Sequence, residues 1–237
     1  ISSTCLGNTK IFKLLESEDV LNTLKVLQNL KIKIIKNNDY YEIFGQGGFF
    51  SDPQKILHFG NSGTGVRLMA GLLGTSEINA TLTGDKSLSS RPMKRIIDPL
   101  QEMNVSITHN NGLLPIKVFN RNNQYIPINH TLNVGSAQVK SCILLAALNT
   151  KGTTKIVEKI PSRDHTEIML KFLGANLIKE KNVIKLTSPN FLKPKELRIP
   201  GDFSSAAFVI IAVLLSKKSK VTLKDVGLNY YLSLIHI

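Results

Sequence analysis

The 237-residue chain predicts an α/β protein assembled from repeated units of helix, strand, helix, strand and strand. Three observations carry that prediction. The first is an internal repeat: sliding the sequence against itself by 145 positions aligns eight identities without a gap. They are Gly7/Gly152, Thr9/Thr154, Lys10/Lys155, Ile11/Ile156, Ser17/Ser162, Asp19/Asp164, Lys36/Lys181 and Asn37/Asn182. Leu15/Ile160, Leu24/Met169, Leu27/Phe172 and Ile32/Leu177 also match in apolar character. The second is that β-branched runs alternate with apolar-periodic stretches bounded by caps and glycines. The third is composition: 42% hydrophobic and 20% charged residues are what a chain that folds around a core carries.

In the first unit only Ile1 to Leu6 stands where a leading helix is expected. The middle unit predicts a helix over Ser62 to Leu73, a strand over Asn79 to Thr83, a helix over Pro92 to Met103, and strands over Val105 to Thr108 and Pro115 to Phe119. The third predicts a helix over Ser136 to Leu148 and a β-branched strand over Thr153 to Val157. There Ser162-Arg163-Asp164 opens a helix with Ile168, Met169 and Phe172 on one face, and Gly174 ends it. Strands over Asn176 to Lys179 and Val183 to Thr187 then pair across Glu180-Lys181-Asn182. A fourth unit begins with a helix over Ser204 to Leu215 and a strand over Lys220 to Lys224. Its apolar run, Ala206 to Leu215, is half of the roughly 20 residues needed to cross a bilayer and reads as a buried helix. Apolar helices beside short strands predict layers that share one core, so no unit should be stable alone.

Thirty Lys and Arg against 17 Asp and Glu leave a net charge of +13, which favours anionic partners. The lysines are scattered, with few aromatics interleaved to stack on bases, so a solvated Lys-rich surface is preferred to a nucleic-acid groove. Cys5 and Cys142 cannot build a disulfide framework, and no Cys-x-x-Cys or His-x-x-x-His pair offers a metal cage. A reducing, cytoplasmic setting is expected. No leader opens the chain and no membrane partner is expected. Without an initiator Met, the chain is expected to be the interior of a longer protein.

Gly60-Asn61-Ser62-Gly63-Thr64-Gly65 precedes an apolar helix, where backbone N–H groups and the helix dipole favour an anion. A plain capped turn competes with that reading, and glycine density and the following Arg67 tip the balance slightly to the anion. In Gly84-Asp85-Lys86-Ser87-Leu88-Ser89-Ser90-Arg91-Pro92-Met93, Pro92 suits the first position of a helix, which puts Arg91 at its start. A cation there opposes the dipole unless a bound carboxylate or phosphate compensates it. A surface Arg91 reaching Asp85 or Asp98 is equally open. Ser136 is a candidate N-cap, and the Gln138 amide, both donor and acceptor, can orient a hydroxylated ligand. Arg163 repeats the position of Arg91, and two such arginines suit a doubly anionic ligand. His58, His109, His130 and His165 lack metal spacing, and Cys142 reads as a small core residue.

Taken together, Gly60-Asn61-Ser62-Gly63-Thr64, Gly84-Asp85-Lys86-Ser87-Leu88 with Arg91-Pro92-Met93, Ser136-Ala137-Gln138-Val139-Lys140-Ser141, Ser162-Arg163-Asp164-His165-Thr166-Glu167 and Pro200-Gly201-Asp202-Phe203-Ser204-Ser205-Ala206 resemble the 5-enolpyruvylshikimate-3-phosphate synthase family. The resemblance runs from about residue 7 to Asn229. It implies an inside-out α/β barrel fold of repeated βαβαββ units, three units forming one domain over residues 1–199, with residues 200–231 opening a second. It also implies transfer of an enolpyruvyl group from phosphoenolpyruvate to the 5-hydroxyl of shikimate 3-phosphate with release of phosphate, on the route to chorismate. No metal or organic cofactor is implied, and the full-length enzyme is expected to be a monomer. By resemblance Gly63, Arg91 and Gln138 contact phosphoenolpyruvate, while Ser136, Ala137, Gln138 and Arg163 contact shikimate 3-phosphate.

The family's Asp-Lys-Ser-x-x-x-Arg motif is expected before Ile1, and its catalytic Asp and Glu after Asn229, so substrate-site geometry without turnover is expected. Residues 232–237 depart from the family pattern and are expected to be a sequencing or cloning junction. Three alternatives remain. One is the related transferase acting on UDP-N-acetylglucosamine, against which Ser136-Ala137-Gln138 and Ser162 to His165 argue. The others are a basic nucleic-acid-binding module and a non-catalytic domain of a multienzyme polypeptide.

Overall fold

The β-branched runs pair into three four-stranded sheets with the same strand order, so the repeat seen in sequence is a repeat in space. The computed structural model describes residues 1–119, 124–189 and 191–232. The first unit holds a 3₁₀ turn at Ser2–Thr4, β1 (Leu6–Phe12), α1 (Glu18–Asn29), β2 (Lys33–Lys36) and β3 (Tyr40–Gln46). The second holds β4 (Leu57–His58), α2 (Gly63–Gly74), β5 (Ala80–Thr83), α3 (Lys86–Ser89), α4 (Lys94–Glu102), β6 (Ser106–Asn110) and β7 (Leu113–Phe119). The third holds β8 (Asn129–Leu132), α5 (Ala137–Ala147), β9 (Gly152–Glu158), α6 (His165–Phe172), β10 (Leu177–Glu180) and β11 (Val183–Ser188). β12 (Leu197–Arg198) and α7 (Phe203–Leu215) follow.

In every sheet a short parallel strand lies beside the first long strand: β12 on β1, β4 on β5 and β8 on β9. An antiparallel pair completes each sheet. In the second and third units a helix connects the parallel strands, which gives the βαβαββ order and the mixed α/β fold. The parallel strands escaped sequence reading because they are two to four residues long, and polar ones such as Asn129-His130-Thr131 show no apolar alternation. At the repeat-matched positions Gly7 and Gly152, φ is +119° and +121°. A Cβ at either would press on a proline, Pro194 or Pro127, so the same strand entrance is built twice.

One continuous core runs through all three units, with Ile11 and Val26 from the first, Leu72 and Ile97 from the second, and Ile143 and Leu186 from the third. α5 lies at its centre and is buried without interruption from Val139 to Ala147. That placement follows from a helix with apolar residues on nearly every side, and it leaves Cys142 fully enclosed. Burial pushes the Cys142 thiol up to about 12, as befits an inert packing residue.

Several expectations need correction. The last part of the repeat is two residues out of register. Tyr41 pairs with Ile11, and Ile184 pairs with Ile156, so beyond the second helix the structural offset is 143 and not 145. The cause is that α6 starts two residues later in the repeat than α1 does and is four residues shorter. Its core face is therefore Glu167, Leu170 and Leu173, while Ile168 and Phe172 face outward. Residues Ile1 to Leu6 form a 3₁₀ turn and the start of β1, with no α-helix. The helix expected from Pro92 begins at Lys94 after the N-cap Met93, and α3 precedes it. α7 forms as expected, yet its apolar face is bare: Phe208 is 79% exposed and Leu215 82%. Residues Lys220 to Lys224 make no strand, because no neighbouring strand lies there to pair with them. Of the expected junction over 232–237, all but Leu232 lies outside the described residues. Among the described residues no helix is long and apolar enough to cross a membrane.

The contact that sets the rest is between α2 and α5. A Cβ at Gly71 would lie 2.2 Å from the Cys142 carbonyl oxygen and 2.9 Å from its Sγ, so only glycine permits this approach. Gly71→Ala is expected to lower unfolding stability by about 1–3 kcal/mol through overpacking. Urea denaturation of the two chains checks this, and an unchanged midpoint would show that the helices tolerate separation.

Candidate functional site

Two capped helices start side by side. The Ser62 hydroxyl accepts the Gly65 N–H at 3.0 Å at the start of α2, and the Ser136 hydroxyl accepts the Val139 N–H at 3.4 Å at the start of α5. The helices run parallel. Gln138 and Thr64 join their first turns, and at the far end the Thr75 hydroxyl donates to the Ala146 carbonyl at 3.0 Å. Parallel alignment places both positive dipole ends at one spot, where an anion relieves the repulsion.

Arg67 lies in that spot, 6% exposed, one turn into α2. Its Nη1 donates to Gln138 Oε1 at 2.8 Å, its Nη2 donates to the Pro92 carbonyl at 3.3 Å, and Gln138 Nε2 donates to Thr64 Oγ1 at 2.8 Å. The Arg67 Nε is buried with no hydrogen-bond partner. Burial pushes the guanidinium down from its ordinary range, and the charges of Arg95 and Arg91 act in the same direction. Among the described residues no carboxylate forms an ion pair with Arg67 or Arg91. This is a concentrated positive field in which neither guanidinium has a direct ion-pair partner among the described residues.

Gly63 is where the two guanidinium groups meet. A Cβ there would lie 3.1 Å from Arg67 Nη1 and 3.1 Å from Arg91 Nη1. Any side chain at this position would fill the space between them. Arg91 does not open a helix as expected. It sits between α3 and α4, donates to Asn61 Oδ1, and reaches Ser87 Oγ at 3.5 Å. Asn61 in turn donates to Asp85 Oδ2 at 2.9 Å. Asp85 caps α3 by accepting the Leu88 N–H at 2.7 Å. Chiefly that bond, with Asn61 and the Arg91 charge adding to it, holds its carboxyl below the usual range. Asp85 is thus tied to Arg91 through Asn61, close to the surface pairing left open by the sequence.

Ser136, Ala137 and Gln138 form the half-buried first turn of α5. Arg163 is exposed and stands just before Asp164, the N-cap of α6. The 160–162 loop leading to it packs against α5: a Cβ at Gly135 would meet the Ile160 carbonyl at 3.2 Å, and Lys140 Nζ donates to the Ser162 carbonyl at 3.1 Å. The structure therefore gathers Gly63, Arg91 and Gln138 around Arg67, keeps Ser136 and Ala137 in the same helix turn as Gln138, and brings the backbone leading to Arg163 against that helix. Sequence reasoning gave Arg67 only a supporting mention. The available signal was its spacing: four residues after Gly63, it lies on the same helix face one turn in.

The arrangement suits ligands that bring negative charge and hydroxyl groups. Cations, amides and hydroxyls line it, and these groups donate and accept hydrogen bonds to such ligands.

A family model described as EPSP synthase (3-phosphoshikimate 1-carboxyvinyltransferase) matches residues 2–236. A 3-phosphoshikimate 1-carboxyvinyltransferase of Vesicomyosocius okutanii subsp. Calyptogena okutanii is 46% identical over 97% of this chain and 53% of its own length. One of Bartonella henselae is 48% identical over 94% of this chain and 52% of its own. Among solved structures, EPSP synthase from Acinetobacter baumannii superposes with a TM-score of 0.88 at 37% identity, covering 96% of this chain and 52% of that one. The chain spans about half the length of the curated relatives it matches.

If the Arg67 field awaits an anion, Arg67→Met should change the unliganded stability by less than about 1 kcal/mol, since an apolar replacement sheds the cost of burying a charge. The ligand response should vanish. Inorganic phosphate at ten times its dissociation constant is expected to add about 1.4 kcal/mol to the unaltered chain and nothing to the variant. Thermal unfolding with and without phosphate reads both, and equal stabilisation of the two would contradict the site.

Proposed function

We propose, from the premise that this chain belongs to the EPSP synthase family, that it holds phosphoenolpyruvate and shikimate 3-phosphate for enolpyruvyl transfer. The observation that carries the reading is the buried, unpaired Arg67 between two helix N-termini, with Gly63, Arg91 and Gln138 around it. The family match and the relatives' names do not favour the UDP-N-acetylglucosamine or nucleic-acid readings.

In this reading Arg91 and the Gly63 turn take phosphoenolpyruvate. Ser136, Ala137 and Arg163 take the phosphorylated acceptor, and Gln138 touches both. Two anions repel each other, so fixed cations and helix ends are needed to hold them at reacting distance. The acceptor 5-hydroxyl oxygen attacks C2 of phosphoenolpyruvate as its O–H bond breaks and releases its proton, while a proton adds to the methylene carbon C3. The tetrahedral adduct then loses a proton from C3 and phosphate from C2, restoring the double bond. This chain's part is to bind, align and stabilise the phosphate that leaves. Proton transfer is not assigned to any residue described above.

The same reading divides the chain into a substrate-binding domain over 1–199 and the opening helix of a second domain over 200–231. The bare apolar face of α7 supports that division. It also takes the enzyme to be cytoplasmic and monomeric, with no cofactor.

Calorimetric titration tests the assignment. The 237-residue chain is expected to bind shikimate 3-phosphate without turnover, and no binding would overturn the reading. Arg163→Ala should weaken the acceptor at least tenfold and leave phosphoenolpyruvate nearly untouched, whereas Arg91→Ala should do the reverse. Equal effects of both variants on both ligands would contradict the division of roles.

A further inference from the structure

Two residues beyond Gln138, α5 carries Lys140, whose contacts reach beyond the Ser162 carbonyl. The Lys140 side chain is fully buried. Its Nζ lies 3.1 Å from Glu158 Oε1, 2.7 Å from Glu167 Oε1 and 3.1 Å from the Ser162 carbonyl oxygen. The ammonium donates to Glu158 Oε2 at 3.2 Å and to the Ser162 carbonyl, while Glu167 is held as an ion pair with neither carboxylate oxygen in a hydrogen bond. The Ser162 hydroxyl also donates to Glu158 Oε1, at 2.5 Å. A second tie joins the same elements, with the Ser141 and Thr166 hydroxyls 2.6 Å apart.

The partners bracket a single short segment. Glu158 ends β9, Ser162 lies in the following loop, and Glu167 is in the first turn of α6. Arg163 sits between the second and third of these points. One nitrogen, rigidly attached to the helix that begins Ser136-Ala137-Gln138, thus fixes the path of the chain on both sides of Arg163. Stability alone does not call for such a cluster. Taking three ionisable groups out of water is costly, and apolar residues of similar size commonly serve as well or better. Burial also pushes the Glu167 carboxyl up from its usual range, against the pull of Lys140. What the cluster supplies is direction, because an ion set with three fixed partners tolerates one geometry where an apolar contact tolerates many.

We propose that Lys140 is a positioning residue for the acceptor side of the site, locking the 158–167 segment to α5 so that Arg163 is held at a set distance from Ser136, Ala137 and Gln138. The inference rests on the functional reading above.

The test is Lys140→Met alone and in a paired variant that also carries Glu158→Gln and Glu167→Leu, so that both opposing carboxylates go with the ammonium. Calorimetry reads the affinity for shikimate 3-phosphate and for phosphoenolpyruvate, and urea denaturation reads stability. The single variant is expected to lose at least tenfold in shikimate 3-phosphate affinity with phosphoenolpyruvate affinity within twofold of the unaltered chain. The paired variant should regain stability and keep the acceptor defect. If acceptor affinity returns together with stability, or if both ligands weaken alike, Lys140 merely supports the fold and the proposal fails. Failure of the functional reading looks different, since the unaltered chain itself would then not bind shikimate 3-phosphate.

Discussion

The close approach of α2 and α5 at Gly71 and Cys142 is the constraint on which the site depends. It makes two helices parallel neighbours, so their positive ends adjoin and repel. It also encloses Arg67 where water cannot solvate it, leaving Gln138 and a carbonyl as its partners. Each of these is unfavourable to the unliganded fold, and each becomes favourable once a dianion occupies the space. The field is assembled within the fold itself, held in place by the apolar core around α5.

The three units share one plan and differ where chemistry is needed. In the first unit Ser17 caps α1, with Glu18 and Asp19 in the first turn as the helix dipole prefers. In the third unit the residue aligned with Glu18 in sequence is Arg163, which stands just before the N-cap Asp164 and brings a cation to the approach to α6. The second unit puts Arg91 beyond the short α3, where Asn61 and Ser87 hold it toward Gly63. A repeated scaffold thereby carries an asymmetric candidate site, with its side chains drawn from the second and third units.

Much of the fold was legible because its long elements carry strong periodicity. The β-branched strands, the serine-capped helices α2 and α5, and the repeat itself could all be read from residue spacing. The short parallel strands could not, since β4 and β12 have two residues each and owe their conformation to the neighbour they pair with. The register of α6 failed for a related reason: a gap-free comparison cannot sense a shortened helix, so Ile168 and Phe172 were placed inward when Glu167 and Leu170 are. The bare face of α7 illustrates a third limit, because apolar sequence predicts burial without naming what does the burying. At the site, turns and caps marked Gly63, Arg91 and Gln138 only as candidates with a structural alternative beside each, and the family resemblance alone gave them a ligand. The importance of Arg67 came only with the enclosed geometry, as pairing, burial and the lack of a direct ion-pair partner among the described residues are properties of the folded chain.

The central claim is that the starts of α2 and α5 form a single anion site. Amide chemical-shift mapping during a titration with phosphoenolpyruvate tests it most directly. The account predicts that the N–H signals of Gly63, Thr64, Ala137 and Gln138 move together and fit one dissociation constant. Separate constants for the two helices, or shifts confined to other surfaces, would contradict it.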